Sequence, residues 1–317
     1  MAMLSPIVSP AARRGIIACA FATSIWALPQ GASADCLGMT LHAHRGAPGA
    51  PENSLTSLRE AYAQAWDGVE TDLQMLRDGV WALHHDYNTG RVVKAGTQRP
   101  LSQMTSAEWK NARMVAPAGT NADTSPPFLS DALALAAGYP QKTFNAEIKQ
   151  VSHSCESLKS LWNFIRTSLP HGNWFVTSGM RPALQCLRQV DYSGYLGYIV
   201  FDPRNAKAAG ANRFTNWIAR TSKAPVLSPN WLEQLVADVG NPVGVHVDLL
   251  TLQANPALLQ DAAALQVSVF TYSVNGDKQH ADVLAFMAKK SGYLPSGAII
   301  DGTPASFCSQ LKSKLQN

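Results

Sequence analysis

Apolar, β-branched runs alternate with amphipathic stretches along most of this chain, and that alternation restricts the possible folds more than any other feature. Candidate strands occupy 40–44, 68–73, 143–148, 174–178, 197–201, 243–247, 267–272 and 297–301. Between them lie helical patterns such as Ser54 to Trp66, Leu158 to Leu169, Pro182 to Val190, Pro256 to Leu265 and His280 to Lys289. Strand, helix, strand at this spacing implies parallel pairing, and eight such units imply an α/β fold of the (β/α)8 barrel type. Ala224 to Ser228 is a ninth strand candidate for eight places, so the unit over 197–242 has two contenders. One unit departs from the pattern. Arg77-Asp78-Gly79 is a tight-turn signal, so 80–86 should fold back as a hairpin. The stretch 87–130 then reads as a long loop inserted after the second strand, with a short helix around Ser106 to Arg113.

The first 34 residues read as a secretory leader. Arg13 and Arg14 precede an apolar stretch from Gly15 to Leu28, and Ala32-Ser33-Ala34 is a small-x-small cleavage signal. Cleavage near Ala34 would give an exported protein, periplasmic or secreted, with residues 35–317 forming one barrel domain. No other segment is apolar enough to cross a membrane. Two of the 26 basic residues lie in the leader, leaving 24 against 22 acidic ones. That near balance argues against a nucleic-acid partner, which calls for a concentrated basic face. Four cysteines remain, and an even number in an exported chain points to disulfides. Cys36 and Cys308 lie near the ends, which meet in a closed barrel, and Cys155 and Cys186 lie in neighbouring helical segments. Those two pairings are expected.

Chemistry concentrates where the apolar runs end. His44, Glu70, Asp72, His85 and Glu147 all sit at such positions. Residues two apart in a strand share a face, so Glu70 converges with Asp72, and Glu147 with Lys149. In an α/β barrel these strand ends form one rim, where active sites lie. Oxygen atoms from Glu70, Asp72 and Glu147 would make a pocket for one divalent cation, Mg²⁺ or Ca²⁺. The bland alternative is a structural network of those carboxylates with Arg45 and Lys149. A like-charge cluster is costly without a cation, which favours the metal. Two histidines flanking it suit proton transfer, so His44 and His85 are the candidate acid and base. His42 and His84 read as structural, and Asp86 as a group that orients a loop or a histidine. With Arg45 and Lys149 as phosphate contacts, the set suits cleavage of a phosphate ester.

These residues resemble the glycerophosphodiester phosphodiesterase family. His44-Arg45-Gly46 with Pro51-Glu52-Asn53-Ser54 resembles its opening motif, Glu70-Thr71-Asp72 its metal-binding pair, and His85-Asp86 its second histidine. Glu147-Ile148-Lys149 is similar to its third ligand and following lysine, Tyr272-Ser273-Val274-Asn275 to a Trp-Thr-Val-Asn segment, and Ile299-Ile300-Asp301 to its last strand. The resemblance implies a metal-dependent barrel that hydrolyses small glycerophosphodiesters to sn-glycerol 3-phosphate and an alcohol. It implies metal ligands at Glu70, Asp72 and Glu147, acid and base at His44 and His85, and phosphate contacts at Arg45 and Lys149. Ser178-Gly179-Met180 stands where the family often has Ser-Phe-Asp, and Tyr272 replaces a Trp in the substrate pocket, which bears on the choice of diester. Two alternatives compete: a membrane-surface phospholipase of the same barrel type, resembling sphingomyelinase D or phospholipase C, and a non-catalytic binder of phosphorylated ligands. The first would need an apolar or basic rim, and 87–130 offers only Trp109 and Met114 with scattered cations. The second would have no use for a proton-transfer pair.

Overall fold

A computed structural model of the chain describes residues 36–115, 124–149, 153–205, 222–272 and 276–316. The expected leader lies outside the described residues. Eight parallel strands close into a barrel: β1 (Thr40–His44), β2 (Gly68–Met75), β6 (Thr143–Ile148), β7 (Asn173–Ser178), β8 (Leu196–Val200), β9 (Val243–Asp248), β10 (Ser268–Tyr272) and β11 (Gly297–Ile300). Pairing of β1 with both β11 and β2 completes the ring. The fold is the (β/α)8 barrel that the alternation implies.

Helices cover the outside. They are α1 (Leu55–Ala63), α3 (Leu129–Ala136), α4 (Cys155–Ser168), α5 (Arg181–Arg188), α6 (Pro229–Val239), α7 (Leu249–Ala254), α8 (Leu258–Ala264), α9 (Asp277–Ser291) and α10 (Pro304–Gln316). Their apolar faces bury Leu58, Trp162, Leu184, Leu235, Leu284 and Phe307 against the strands. Side-chain oxygens start several of them: Ser54 caps α1, Ser154 caps α4 and Ser228 caps α6. The expected disulfides are both present, tying Cys36 to Cys308 in α10 and Cys155 in α4 to Cys186 in α5. On α5, Arg188 points all five of its N–H donors at the carbonyls of Asp191, Gly194, Val239, Gly240 and Pro242. It thereby staples the loops that enter β8 and β9. No helix among the described residues is long and apolar enough to cross a membrane.

The structure decides between the two contenders over 197–242 in favour of 197–201, and one expectation needs correction. Residues 224–228 form no strand, because β7 and β9 already occupy both edges of β8. Asn255 holds that stretch instead, accepting from the Leu227 amide and donating to the Pro225 carbonyl. The insertion after β2 is more than a loop. Hairpin strand β3 (Trp81–Leu83) pairs antiparallel with β2, as the Arg77-Asp78-Gly79 turn implies. Beyond it, β4 (Val93–Lys94) pairs with β5 (Arg113–Met114) around α2 (Ser106–Asn111). These elements bury Val92, Val93, Leu101, Met104 and Trp109 in a second small core against Leu76 and Ala82. Its apolar residues are scattered rather than periodic, so no sequence window reveals them.

Inside the barrel, below the rim, His42, Phe175, Tyr195, His246 and Phe270 fill the space. The His246 and Phe270 rings stack at 4.7 Å, and the Tyr195 hydroxyl meets His246 Nε2 at 3.2 Å. Burial lowers His42, His246 and His280 to a pKa of about 3, with His42 adding to the effect on His246. These imidazoles are neutral in the fold, while in the unfolded chain they take a proton below about pH 6.5. Stability should therefore be retained above pH 6.5 and lost as pH falls towards 3, by about 1.4 kcal/mol per pH unit for each ring. Urea unfolding at pH 7 and pH 5 measures this, and His246→Phe should flatten the slope.

Candidate functional site

The turn after β1 brings the first cation over the barrel mouth. Arg45 takes a left-handed backbone (φ 58°) and Gly46 follows at φ 95°. A Cβ at Gly46 would collide with Ser57 of α1, so glycine is required for the helix to pack there. The Arg45 amide donates to Glu70 Oε2 at 3.1 Å, while its guanidinium reaches Glu52 at 3.2 Å and Asp72 at 3.3 Å.

Each residue of the Glu52-Asn53-Ser54 segment has a separate task. Ser54 caps α1, and Glu52 pairs with Arg45. Asn53, buried and left-handed (φ 59°), spans the gap to β2. Its Nδ2 donates to Asp72 Oδ2 at 2.7 Å, and its Oδ1 accepts from the Thr71 hydroxyl and the Asp72 amide. Asn53 thus fixes Asp72 from the side, a role the sequence did not disclose.

Ladder register does the rest. Glu70 lies beside Asn145 and Asp72 beside Glu147 on adjacent strands, so the three carboxylates share the mouth. Their oxygens lie within 4.8 Å of one another. Lys149 caps the cluster, with Nζ 2.7 Å from Glu147 and 3.2 Å from Asp72. The cation expected to contact phosphate is therefore paired with carboxylates here. Charge is divided unequally. Burial opposes ionisation of Asp72, but Lys149, His85, Arg45 and the Asn53 amide hold it well below the usual carboxylate range. Burial pushes Glu70 well above that range, and Asp72 and Glu147 push it further. Glu70 Oε1 is buried without a hydrogen-bond partner.

That orphaned oxygen and the crowding of three anions fit a hard divalent cation, whose charge would relieve both. Glu70, Asp72 and Glu147 are the residues that would hold it. The chain's own cations do not finish the task, since Glu70 stays well above the usual carboxylate range despite Arg45 and Lys149.

The two histidines flank the cluster, each backed by an acid. His44 Nδ1 lies 2.6 Å from Asp301 Oδ1, just beyond β11. His85 Nδ1 lies 2.9 Å from Asp86 Oδ1, just beyond β3. A carboxylate on Nδ1 keeps the proton there and leaves Nε2 as the reactive nitrogen. Burial works against the Asp301 charge, yet His44 holds its carboxyl below the ordinary range. His44, Arg45, Glu52 and Asp301 line a cleft of about 200 Å³ walled by Ala47 and Pro48. His42 and His84 are buried away from this rim as expected, His42 among aromatic rings and His84 against Trp109. Tyr272 ends β10, its hydroxyl donating to the Val200 carbonyl at 3.4 Å. Burial raises its pKa, with the charges of Asp248 and Glu147 adding to the shift. Residues 273–275 of its motif lie outside the described residues.

Comparison with known proteins agrees with this geometry. The model of the glycerophosphoryl diester phosphodiesterase family matches residues 44–168. That segment carries the family's signature. His44, Arg45, Glu70, Asp72, His85, Glu147 and Lys149 all lie in the matched segment, whereas Tyr272 and Asp301 lie beyond it. Similar solved structures extend the likeness over the barrel. A glycerophosphodiester phosphodiesterase from Parabacteroides distasonis is 18% identical, with a TM-score of 0.63 over 87% of this chain and 98% of that one. One from Agrobacterium tumefaciens is 18% identical, with a TM-score of 0.59 over 86% and 99%. An Oleispira antarctica phosphodiesterase in complex with its product sn-glycerol-3-phosphate is 19% identical, with a TM-score of 0.63 over 88% and 97%. These likenesses show the (β/α)8 barrel fold.

Asn53→Ala removes the hydrogen bonds to Asp72 and places alanine in a left-handed backbone. It should cost about 1–3 kcal/mol in urea unfolding. Asn53→Gly, which relieves only the backbone, should recover part of that loss.

Proposed function

We propose that this protein is a divalent-metal-dependent hydrolase that splits glycerophosphodiesters into sn-glycerol 3-phosphate and an alcohol. The observation that carries this reading is the convergence of three carboxylates with two acid-backed histidines on one rim, inside a segment matching the phosphodiesterase family. The Oleispira neighbour, which binds sn-glycerol-3-phosphate as product, supports the substrate class.

Glu70, Asp72 and Glu147 would hold the cation, either Mg²⁺ or Ca²⁺. When bound, it supplies positive charge against the phosphoryl oxygens and lowers the barrier to attack. The protein's own groups do the remainder. Arg45 and Lys149 add two fixed cations at the mouth, and they can turn from the carboxylates to the phosphoryl oxygens once a cation takes their place. One histidine withdraws a proton at Nε2 from the attacking water or glycerol hydroxyl. The other delivers a proton at Nε2 to the departing alkoxide. Asp301 and Asp86 would hold these rings by Nδ1–H and stabilise the imidazolium that the base becomes and from which the acid starts. The insertion after β2 would shape the end of the mouth that takes the alcohol portion, and Tyr272 at the end of β10 would stand in the substrate pocket.

Export is part of the proposal. Two disulfides support an oxidising compartment, in keeping with the leader-like first 34 residues.

Glycerophosphocholine incubated with the protein and millimolar Mg²⁺ or Ca²⁺ should yield sn-glycerol 3-phosphate, and a chelator should stop it. His44→Ala and His85→Ala should each lower kcat by about 10²–10⁴-fold while leaving metal binding intact. Turnover of intact lipids alone, or binding of every diester without cleavage, would replace this reading.

A further inference from the structure

His85 is fixed at its backbone and at its ring by different residues. Below it, buried Gln74 on β2 directs Nε2 at the carbonyls of His84 (2.8 Å), His85 (3.3 Å) and Asp86 (2.7 Å). The ring is fixed by Asp86, and Asp86 in turn by the insertion. Arg91 donates Nε to Asp86 Oδ2 at 2.7 Å and Nη2 to Oδ1 at 2.8 Å. The other edge of the same guanidinium donates Nη1 to Glu52 Oε2 at 2.9 Å and Nη2 to Oε1 at 2.6 Å. Glu52 continues to Arg45, and Arg45 to Asp72. One planar fork therefore joins the acid behind His85 to the chain of charges that ends on the carboxylate cluster.

An isolated surface ion pair is worth little, and Arg91 is 43% exposed. This contact differs in being doubly bidentate, a geometry only a guanidinium provides. Its backbone is also set from beneath, because Val92 and Val93 are anchored in the insertion's small core beside Leu101 and Trp109. An unbraced Asp86 carboxylate could rotate away from Nδ1, freeing His85 to adopt either tautomer. We propose that Arg91 is the positioning residue for His85, through which the insertion after β2 sets the proton-transfer geometry. The proposal rests on reading His85 as an acid or base.

Arg91→Ala, Arg91→Lys and Asp86→Asn in the full chain with Mg²⁺ test this on glycerophosphocholine. Both Arg91 variants should lose about 10–100-fold in kcat, with KM changed by no more than about threefold. Millimolar guanidinium should restore part of the activity to Arg91→Ala and none to Arg91→Lys. Arg91→Ala combined with Asp86→Asn should be no worse than the poorer single variant. The ¹⁵N spectrum of His85 should show a bonded Nδ1–H in the parent protein and averaged tautomers in both Arg91 variants. Unchanged kcat, full activity in Arg91→Lys, or a loss confined to KM would overturn the proposal. Arg91→Lys keeps the aliphatic stem, so it remains informative if the alanine variant unfolds. Should the parent protein cleave no diester, the functional reading fails, and the imidazole spectrum still decides Arg91: a retained Nδ1–H signal overturns its role.

Discussion

Mutual repulsion of Glu70, Asp72 and Glu147 is the constraint around which the mouth of this barrel is organised. Parallel register forces the three carboxylates together, since Asp72 and Glu147 are ladder partners and Glu70 lies two residues back on the same face. Neighbouring groups answer the charge unevenly. Asp72 is surrounded by Asn53, Arg45 and Lys149, while Glu70 keeps one buried oxygen without a partner. A shared divalent cation would resolve that imbalance, and the other features of the rim can be understood by their relation to it. Arg45 and Lys149 hold the anions in place, and the acid-backed histidines stand on either side.

The positions of those histidines show how the fold separates support from chemistry. Asp301 directly follows the last barrel strand, so closure of the ring itself orients His44. Asp86 comes from the hairpin, and its brace comes from an insertion with a core of its own. One acid is therefore held by the barrel and the other by a separate packing unit. Such a unit can vary in shape around the alcohol portion of a substrate without disturbing the strands beneath.

Much of this was legible in the sequence, for a physical reason. Barrel strands are buried on both faces, so polar residues within them stand out, as His44, Glu70, Asp72 and Glu147 did, and His85 stood out likewise at the end of the hairpin's apolar run. The alternation that implied eight units is a direct product of strand and helix packing. What stayed hidden depended on partners distant in sequence. Asn53 looks like any polar residue before a helix until β2 is placed beside it. Asp301 gains its role only when β11 closes against β1. Arg91 and Glu52 are 39 residues apart and meet through the fold of the insertion. That insertion read as a long loop with one short helix because its core uses single apolar residues from several short elements. Residues 224–228 competed for a strand place through Val226 and Leu227 but are held by Asn255 in place of a strand partner.

The central claim is that one cation is held jointly by the three carboxylates. Crystals soaked in Mn²⁺, which scatters anomalously and substitutes for Mg²⁺ at oxygen sites, test it most directly. The account predicts a single anomalous peak bonded to an oxygen of each of Glu70, Asp72 and Glu147, with Lys149 displaced from at least one of them. No peak there, with the carboxylates still paired to Arg45 and Lys149, would contradict it.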